Sequence, residues 1–556
     1  MPWRRSDLRP YQRFFVEKIK ACFHPDPAKR LPGLILALEP GAGKTGTTLT
    51  AIKDLHDSLT IRKTLIVAPL LVAQTVWPAE MEEWEHLRNL SWTLIRVEED
   101  DAEVAVAGDA AYAQALAAHQ ADFDAQRSAN MLLGASAGDA RRQARTARSA
   151  TPAKLAEADR QTAAAAAKEA KLARLAASAA DVHIINKDAL RWLWDHFGRG
   201  ARWPYDLIVV DDVREGRSGQ KRSKGKKDED AKAKKPLSRF GILAAARKRS
   251  QATVQLTGTP TPKSLADMWG LAYLIDLGER LGMFKTPFLK KFFHLDSQYY
   301  TPKEPREGAF DRIMGSVKDI MFSLDPADLP QLPPYIVDPI RVKLSPDVLA
   351  AYKWFERQLV SEEYDVEAVN AGVLHGKKLQ FANGSMFRED GEDVWIHDAK
   401  IEALKELVQR MNGVPLLVLY TYTFDVERIM TALPKAVLLR PENAVETVRL
   451  WNEDKIEVLL AHRASAGHGL NMQKGTGHMC EYGLTSDAEL YLQALKRLLR
   501  SGRRGAVFNH VIMAEGTIDE EVFPSYLDPK IETQTRVMEA VRVSFQESIA
   551  PALPVA

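Results

Sequence analysis

The segment ALEPGAGKTGT (residues 37–47) holds Gly41, Gly43, Lys44 and Thr45 in the spacing of a phosphate-binding loop. Glycine at 41 and 43 lets backbone N–H groups close on phosphate oxygens. Lys44 reaches the β and γ oxygens, and the Thr45 hydroxyl joins the shell of a magnesium ion. Leu38 takes the place of the first glycine in the longer G-x-x-x-x-G-K-T form, so the stretch fits the shorter G-x-G-K-T form. A glycine-rich turn formed by chance is the competing reading. The predicted strand before it and helix after it weigh against that.

A second apolar run, YDLIVVDD (205–212), ends in Asp211 and Asp212. In a nucleotide-hydrolysing motor the first carboxylate of such a pair helps to hold magnesium, and a glutamate after it positions or deprotonates the attacking water. Asp212 is one methylene shorter than that glutamate. A general base works at about 2.6–3.2 Å from its proton, or through one water. Drawing it back by a bond length can cost about 10²-fold, unless a shifted backbone, an extra water or Glu215 compensates.

Near the other end, LYLQALKRLLRSG (490–502) sets Gln493, Arg497 and Arg500 at i, i+4 and i+7 on one face of a helix. An amphipathic helix with a basic side would look the same locally. In a second lobe about 450 residues beyond the phosphate loop, the pattern has a mechanical reason. Arginines from one lobe reach the γ-phosphate held by the other, so ATP closes the cleft and hydrolysis lets it open.

Elements must hold these residues in place. The first 95 residues alternate apolar runs with helical patterns, the rhythm of a parallel α/β sheet. Strands are predicted at 33–39, 63–70, 181–188, 205–212 and 252–260, and a helix at 45–59. Two stretches interrupt this lobe. Residues 101–180 hold 32 alanines in 80 positions with few large apolar side chains, which favours long, thinly packed helices. LLGASAGDA (132–140) can turn one helix back on the other, giving a protruding hairpin that touches a protein partner or is a tolerated insertion. Residues 217–235 carry nine Lys/Arg against three Asp/Glu, a local +6 in a chain of net +2, which leaves −4 elsewhere. That run is expected to stay unfolded, as a solvated loop or as a strap seeking nucleic-acid phosphates.

Residues 281–345, rich in proline, lysine and aromatics, read as a connector. Ser345 as cap, Pro346 in the first turn and Asp347 against the dipole open a helix over 344–360. Strands resume at 414–420, 456–461 and 506–513, a second lobe of the same kind.

Composition bounds the class. With 556 residues, 46% hydrophobic and 27% charged, the chain has the make-up of an ordinary soluble globular protein. It has no apolar run of the roughly 18 residues a membrane span needs. The start MPWRRSDLRPYQRFF lacks a signal-peptide core, so export is not expected. Cys22 and Cys480 make no disulfide framework, which suits a reducing cytoplasm. His462, His468, His478 and Cys480 follow no zinc spacing, and no metal site is expected there.

Taken together the motifs resemble the helicase superfamily two motors, specifically the Snf-type (switch/sucrose-non-fermenting) DNA translocases in the compact form common in bacteriophage genomes. LRPYQ (8–12) resembles the family's adenine-reading segment, with Gln12 as base contact. TLIVAPLLVAQTVWPAEMEEW (64–84) resembles its first nucleic-acid-contacting motif. LTGTPTPKSLADMW (256–269) resembles the motif coupling nucleotide to DNA, through Thr257 and Thr259. ASAGHGLNMQ (464–473) is similar to the fifth motif and the Gln493 helix to the sixth. Two positions depart from the pattern: Asp212 in place of Glu, and Arg503 where the family tends to have Gln.

The resemblance implies two RecA-like parallel-sheet lobes in tandem. Lobe 1 is expected over 1–280 with insertions at 98–180 and 214–236, a connector over 281–395, lobe 2 over 396–530 and a tail over 531–556. Lys44, Thr45 and Asp211 would hold Mg-ATP, Asp212 would position water, and Gln493, Arg497 and Arg500 would complete the site from lobe 2. The implied partner is duplex DNA, held through its phosphates without base preference. The alternative is an ATP-gated DNA clamp or scaffold that hydrolyses little because of Asp212.

Overall fold

Gly33–Ala37 (β1), GLILA, is buried along its whole length, as a strand covered on both faces must be. Its side chains alternate between two cores: Leu34 and Leu36 enter one, Ile35 and Ala37 the other. The structure, a computed structural model, describes every residue except 1–2, 40, 98–100, 133–151, 212–236, 262, 296–301, 326–327, 329–332, 359, 362–365, 368–370, 389, 464–471, 473–474, 500–504 and 544–556.

Further along the chain run Thr64–Ala68 (β2), Trp92–Leu94 (β3), Val182–Asn186 (β4), Leu207–Asp211 (β5), Ala252–Thr257 (β6) and Met321–Leu324 (β7). Tyr335–Val342 (β8), Leu416–Tyr420 (β9), Val437–Leu438 (β10), Val458–His462 (β11), His478–Glu481 (β12), Val507–Ala514 (β13) and Arg542–Val543 (β14) follow. They build an eight-stranded sheet ordered β14-β7-β1-β6-β5-β2-β4-β3 and a six-stranded sheet ordered β8-β13-β12-β9-β11-β10. Every pairing within both is parallel. The fold is therefore α/β with two parallel-sheet, RecA-like lobes in tandem. The helices that matter below are Pro10–Ala21 (α1), Lys44–Asp57 (α2), Trp77–Glu83 (α3), Ala102–Leu132 (α4), Pro152–Ala176 (α5), Ala488–Leu498 (α6) and Asp528–Ala540 (α7).

The sheets draw the lobe boundaries differently from the sequence reading. β7 and β8, both inside the expected connector, belong to the first and second sheet respectively. β8 contains Pro339, which argues against a central strand; it is tolerated because β8 lies at the sheet edge and pairs only with β13. The expected tail is also structured. α7 donates Lys530 Nζ to Ser486 O of lobe 2 at 2.6 Å, buries Val537 in the lobe 1 core and lays Arg536 over Phe310 at 4.7 Å. The chain then adds β14 to the edge of the first sheet beside β7.

The alanine-rich insertion forms the expected hairpin. α4 and α5 run antiparallel, with Lys171 paired to Asp101, Arg174 to Glu103 at 2.6 Å, Arg160 to Asp109 at 3.0 Å and His119 to Asp159 at 2.9 Å. Small residues let the helices approach: a Cβ at Gly108 would lie 3.4 Å from that of Ala164. The turn between the helices and the basic run 217–235 lie outside the described residues.

Candidate active site

Strand register assembles the first half of the site. β6 lies between β1 and β5, with Thr257 opposite Ala37 and Leu256 opposite Asp211. The phosphate loop leaving β1 thus opens two strand spacings, roughly 10 Å, from the end of β5. Thr257 ends the strand between them. This carboxyl edge is where parallel α/β sheets bind ligands.

Gly41 and Gly43 have φ of +88° and +72°, a region in which a Cβ is strained. At Gly43 there is a second reason: a Cβ there would stand 2.2 Å from Nε2 of Gln12. A side chain at 43 would push the Gln12 amide off the loop. Gln12 is buried, its Oε1 accepting from the Arg9 N–H at 2.8 Å. α2 begins at Lys44, so its first-turn N–H groups border the loop, and Thr45 sits half-buried in that turn. Lys44 Nζ is folded back, donating to Leu38 O at 2.7 Å and Glu39 O at 3.0 Å.

At the end of β5 the Asp211 carboxylate accepts from Trp77 Nε1 at 3.0 Å. Trp77 is fully buried in α3. One turn on, Glu80 accepts from Trp84 Nε1 at 2.8 Å, and both press on Gly46 of α2, where a Cβ would meet them at 2.9–3.0 Å. Burial pushes the Glu80 carboxyl up, against the pull of that hydrogen bond.

The second half comes from lobe 2. Asp487 caps α6, accepting from Glu489 N and Leu490 N at 3.0 and 3.1 Å. Glu489 Oε1 accepts from Gln493 Nε2 one turn along its own helix, at 3.2 Å. The same oxygen accepts from Thr259 Oγ1 of lobe 1, also at 3.2 Å, and Thr259 N donates to Thr257 Oγ1 at 3.0 Å. Further along α6, Lys496 Nζ lies 3.4 Å from Glu39 Oε1, in the residue whose carbonyl holds Lys44. Leu71 of lobe 1 packs on the lobe 2 core.

Of the residues singled out from the sequence, Gln12, Gly41, Gly43, Lys44 and Thr45 share one site. Asp211 stands on the same sheet edge, and Gln493 faces it across the cleft through Glu489. Arg497 follows Lys496 on α6; its side chain, Asp212 and Arg500 lie outside the described residues. The sequence reading missed Trp77, Glu39, Glu489 and Lys496. Glu489 had a signal, since it precedes Gln493 by four residues on the same helix face. No local pattern marks Trp77 as the donor to Asp211.

A family model described as SNF2-related domain matches residues 17–132. The chain is 32% identical over 495 residues to "Putative protein p41" of Acyrthosiphon pisum secondary endosymbiont phage 1, covering 87% of this chain and 89% of that one. Two solved Sulfolobus solfataricus structures are also similar. The SWI2/SNF2 ATPase core in complex with dsDNA matches at 15% identity and TM-score 0.36, over 96% of this chain and 97% of that one. The SWI2/SNF2 ATPase core domain matches at 14% identity and TM-score 0.35, over 97% and 92%. With a relative aligned along most of its length and the SNF2-related model lying on the phosphate-loop region, the chain belongs to the SNF2-related family, in a phage-like form.

Proposed function

We propose that this protein is a DNA-stimulated ATPase that moves along duplex DNA by closing and opening its two lobes, gripping phosphates and reading little sequence. The observation that carries this reading is the docking of α6 on the phosphate loop. Lys496 on Glu39 and Glu489 on Thr259 make lobe 2 a wall of the nucleotide site. A nucleotide bound between the lobes then acts on their separation, which is what a motor requires. Family membership supports the same reading.

In this scheme Lys44 leaves the carbonyls of Leu38 and Glu39 for the β and γ oxygens, and Gln12 meets the adenine. Thr45 and Asp211 supply the hard oxygen donors that suit magnesium, which neutralises phosphate charge when bound. The oxygen donors of this set fit that group. Asp212 positions the attacking water, and Arg497 and Arg500 reach across to the γ-phosphate.

The test is ATP turnover by the purified protein with and without duplex DNA, beside Lys44→Ala and Asp212→Glu. DNA-stimulated turnover that falls by at least about 10²-fold in Lys44→Ala is expected. A faster Asp212→Glu variant would show that the shorter carboxylate slows the motor. Background turnover together with tight ATP-dependent DNA binding would overturn the motor and leave a clamp.

A further inference from the structure

Glu489 is 5% exposed, and its carboxylate can only accept hydrogen bonds. A buried charge of this kind is tolerated where donors meet it. Among the described residues Gln493 Nε2, from α6 itself, and Thr259 Oγ1, from the opposite lobe, both donate to one of its oxygens. The first survives any movement of lobe 2 as a body, because both partners ride on one helix. The second exists only while the lobes are together. Thr259 is in turn held by the Thr257 hydroxyl, and Thr257 ends the strand between the phosphate loop and Asp211.

We propose that Glu489 is a positioning residue that latches α6 to the Thr257–Thr259 turn, so that Gln493 comes into register with the nucleotide only when the lobes are closed. This rests on the motor reading above and adds to it a named interlobe latch. Opening exposes the carboxylate to water, which solvates it well. On closure Thr259 supplies a donor in place of water, and the latch discriminates by geometry as well as by charge. Asp at 489 would keep the charge and fall short of Thr259; Gln would keep the reach and lose the charge.

Two readouts separate this inference from the reading it rests on. Closure is followed by energy transfer between dyes on cysteines introduced by Asp57→Cys in lobe 1 and Lys455→Cys in lobe 2; native Cys22 and Cys480 are buried and stay unlabelled. Turnover with duplex DNA is measured in parallel. Adding a non-hydrolysable ATP analogue should raise the closed population of the parent protein. Thr259→Val and Glu489→Gln should each weaken that response by about tenfold, the scale of one hydrogen bond to a charged group. The Thr259→Val/Glu489→Gln double variant should be no worse than the poorer single variant, and Thr259→Ser should restore closure.

Turnover should fall in kcat more than it rises in KM, because the nucleotide's own contacts remain. Closure at the parent level in both single variants would overturn the latch. So would losses that simply add in the double variant, or a Thr259→Ser variant as impaired as Thr259→Val. A parent protein that closes on the analogue and loses closure in the variants, yet shows no DNA-stimulated turnover, would sink the motor reading and leave the latch standing.

Discussion

Thr259 and Glu489 lie 230 residues apart in the chain and meet across the cleft, hydroxyl to carboxylate, at 3.2 Å. The contact joins the end of a lobe 1 strand to the helix that carries Gln493. Lys496 and Glu39 make a second joint at 3.4 Å, on the phosphate loop itself. Both joints are polar. A cleft closed by such contacts can reopen at modest cost, unlike one sealed by a broad apolar surface.

Trp77→Phe keeps an aromatic ring in the core and removes the N–H that Asp211 accepts. A hydrogen bond to a charged group is worth about 1.5–3 kcal/mol, so DNA-stimulated turnover should fall about 10- to 100-fold. The melting temperature should move little. Turnover and thermal unfolding measured on the same preparation decide the matter: undiminished turnover would assign Trp77 to packing alone.

Gln12→Ala clears the amide that stands over Gly43 and should raise KM for ATP by about tenfold with a smaller change in kcat. It should also erase preference for ATP over GTP. Gly43→Ala should weaken nucleotide binding by about tenfold, because its Cβ would displace Gln12 and its φ of +72° strains an L side chain. Combining the two removes the collision and leaves the backbone strain. Titration with a fluorescent nucleotide should therefore show at most partial recovery.

Acid should destabilise lobe 1 through His183. The ring is buried between Tyr205 OH at 2.8 Å and Ser178 Oγ at 2.9 Å, and burial, with Lys63 nearby, holds its pKa down to about 4. The unfolded chain binds a proton near pH 6.5, so the unfolded state gains protons first as pH falls. Stability is full above that value and is lost on acidification down to about 4, by about 3 kcal/mol at the upper bound. His397 in lobe 2, held down to about 4 by burial beside Lys400 and Arg428, acts in the same direction. Urea unfolding at pH 7.5, 5.5 and 4.5 should show the slope, and His183→Gln should lessen it.

The alanine-rich arm should be dispensable for turnover. Its two ends return to neighbouring points of the lobe, with Ser178 Oγ donating to Thr93 Oγ1 at 3.0 Å and Val182 N to Ser91 O at 3.0 Å. Replacing residues 102–168 by a short Gly/Ser linker spares Leu172, Leu175 and Ala176, which pack on the lobe 1 core, and Glu169, which accepts from Trp192 Nε1 at 2.7 Å. DNA-stimulated turnover should stay within about twofold, as expected for an exposed insertion. A loss of ten-fold or more would make the arm part of the motor.

The sequence by itself determined the chemistry that each motif can carry and the α/β alternation that holds it. G-x-G-K-T after a buried strand has the form of a phosphate loop, and Gln493 with Arg497 marks a helix face by spacing alone. Both are local properties, set by backbone freedom and helical period. Tertiary structure decided the rest. Pro339 concealed β8, because whether proline is tolerated depends on which edge of a sheet the strand occupies. The two residues of β14 gain their place from β7, a partner more than two hundred residues earlier. Thr259 and Glu489 could be paired only once two separately folded lobes were set against each other, since a contact between distant segments leaves no period in the chain.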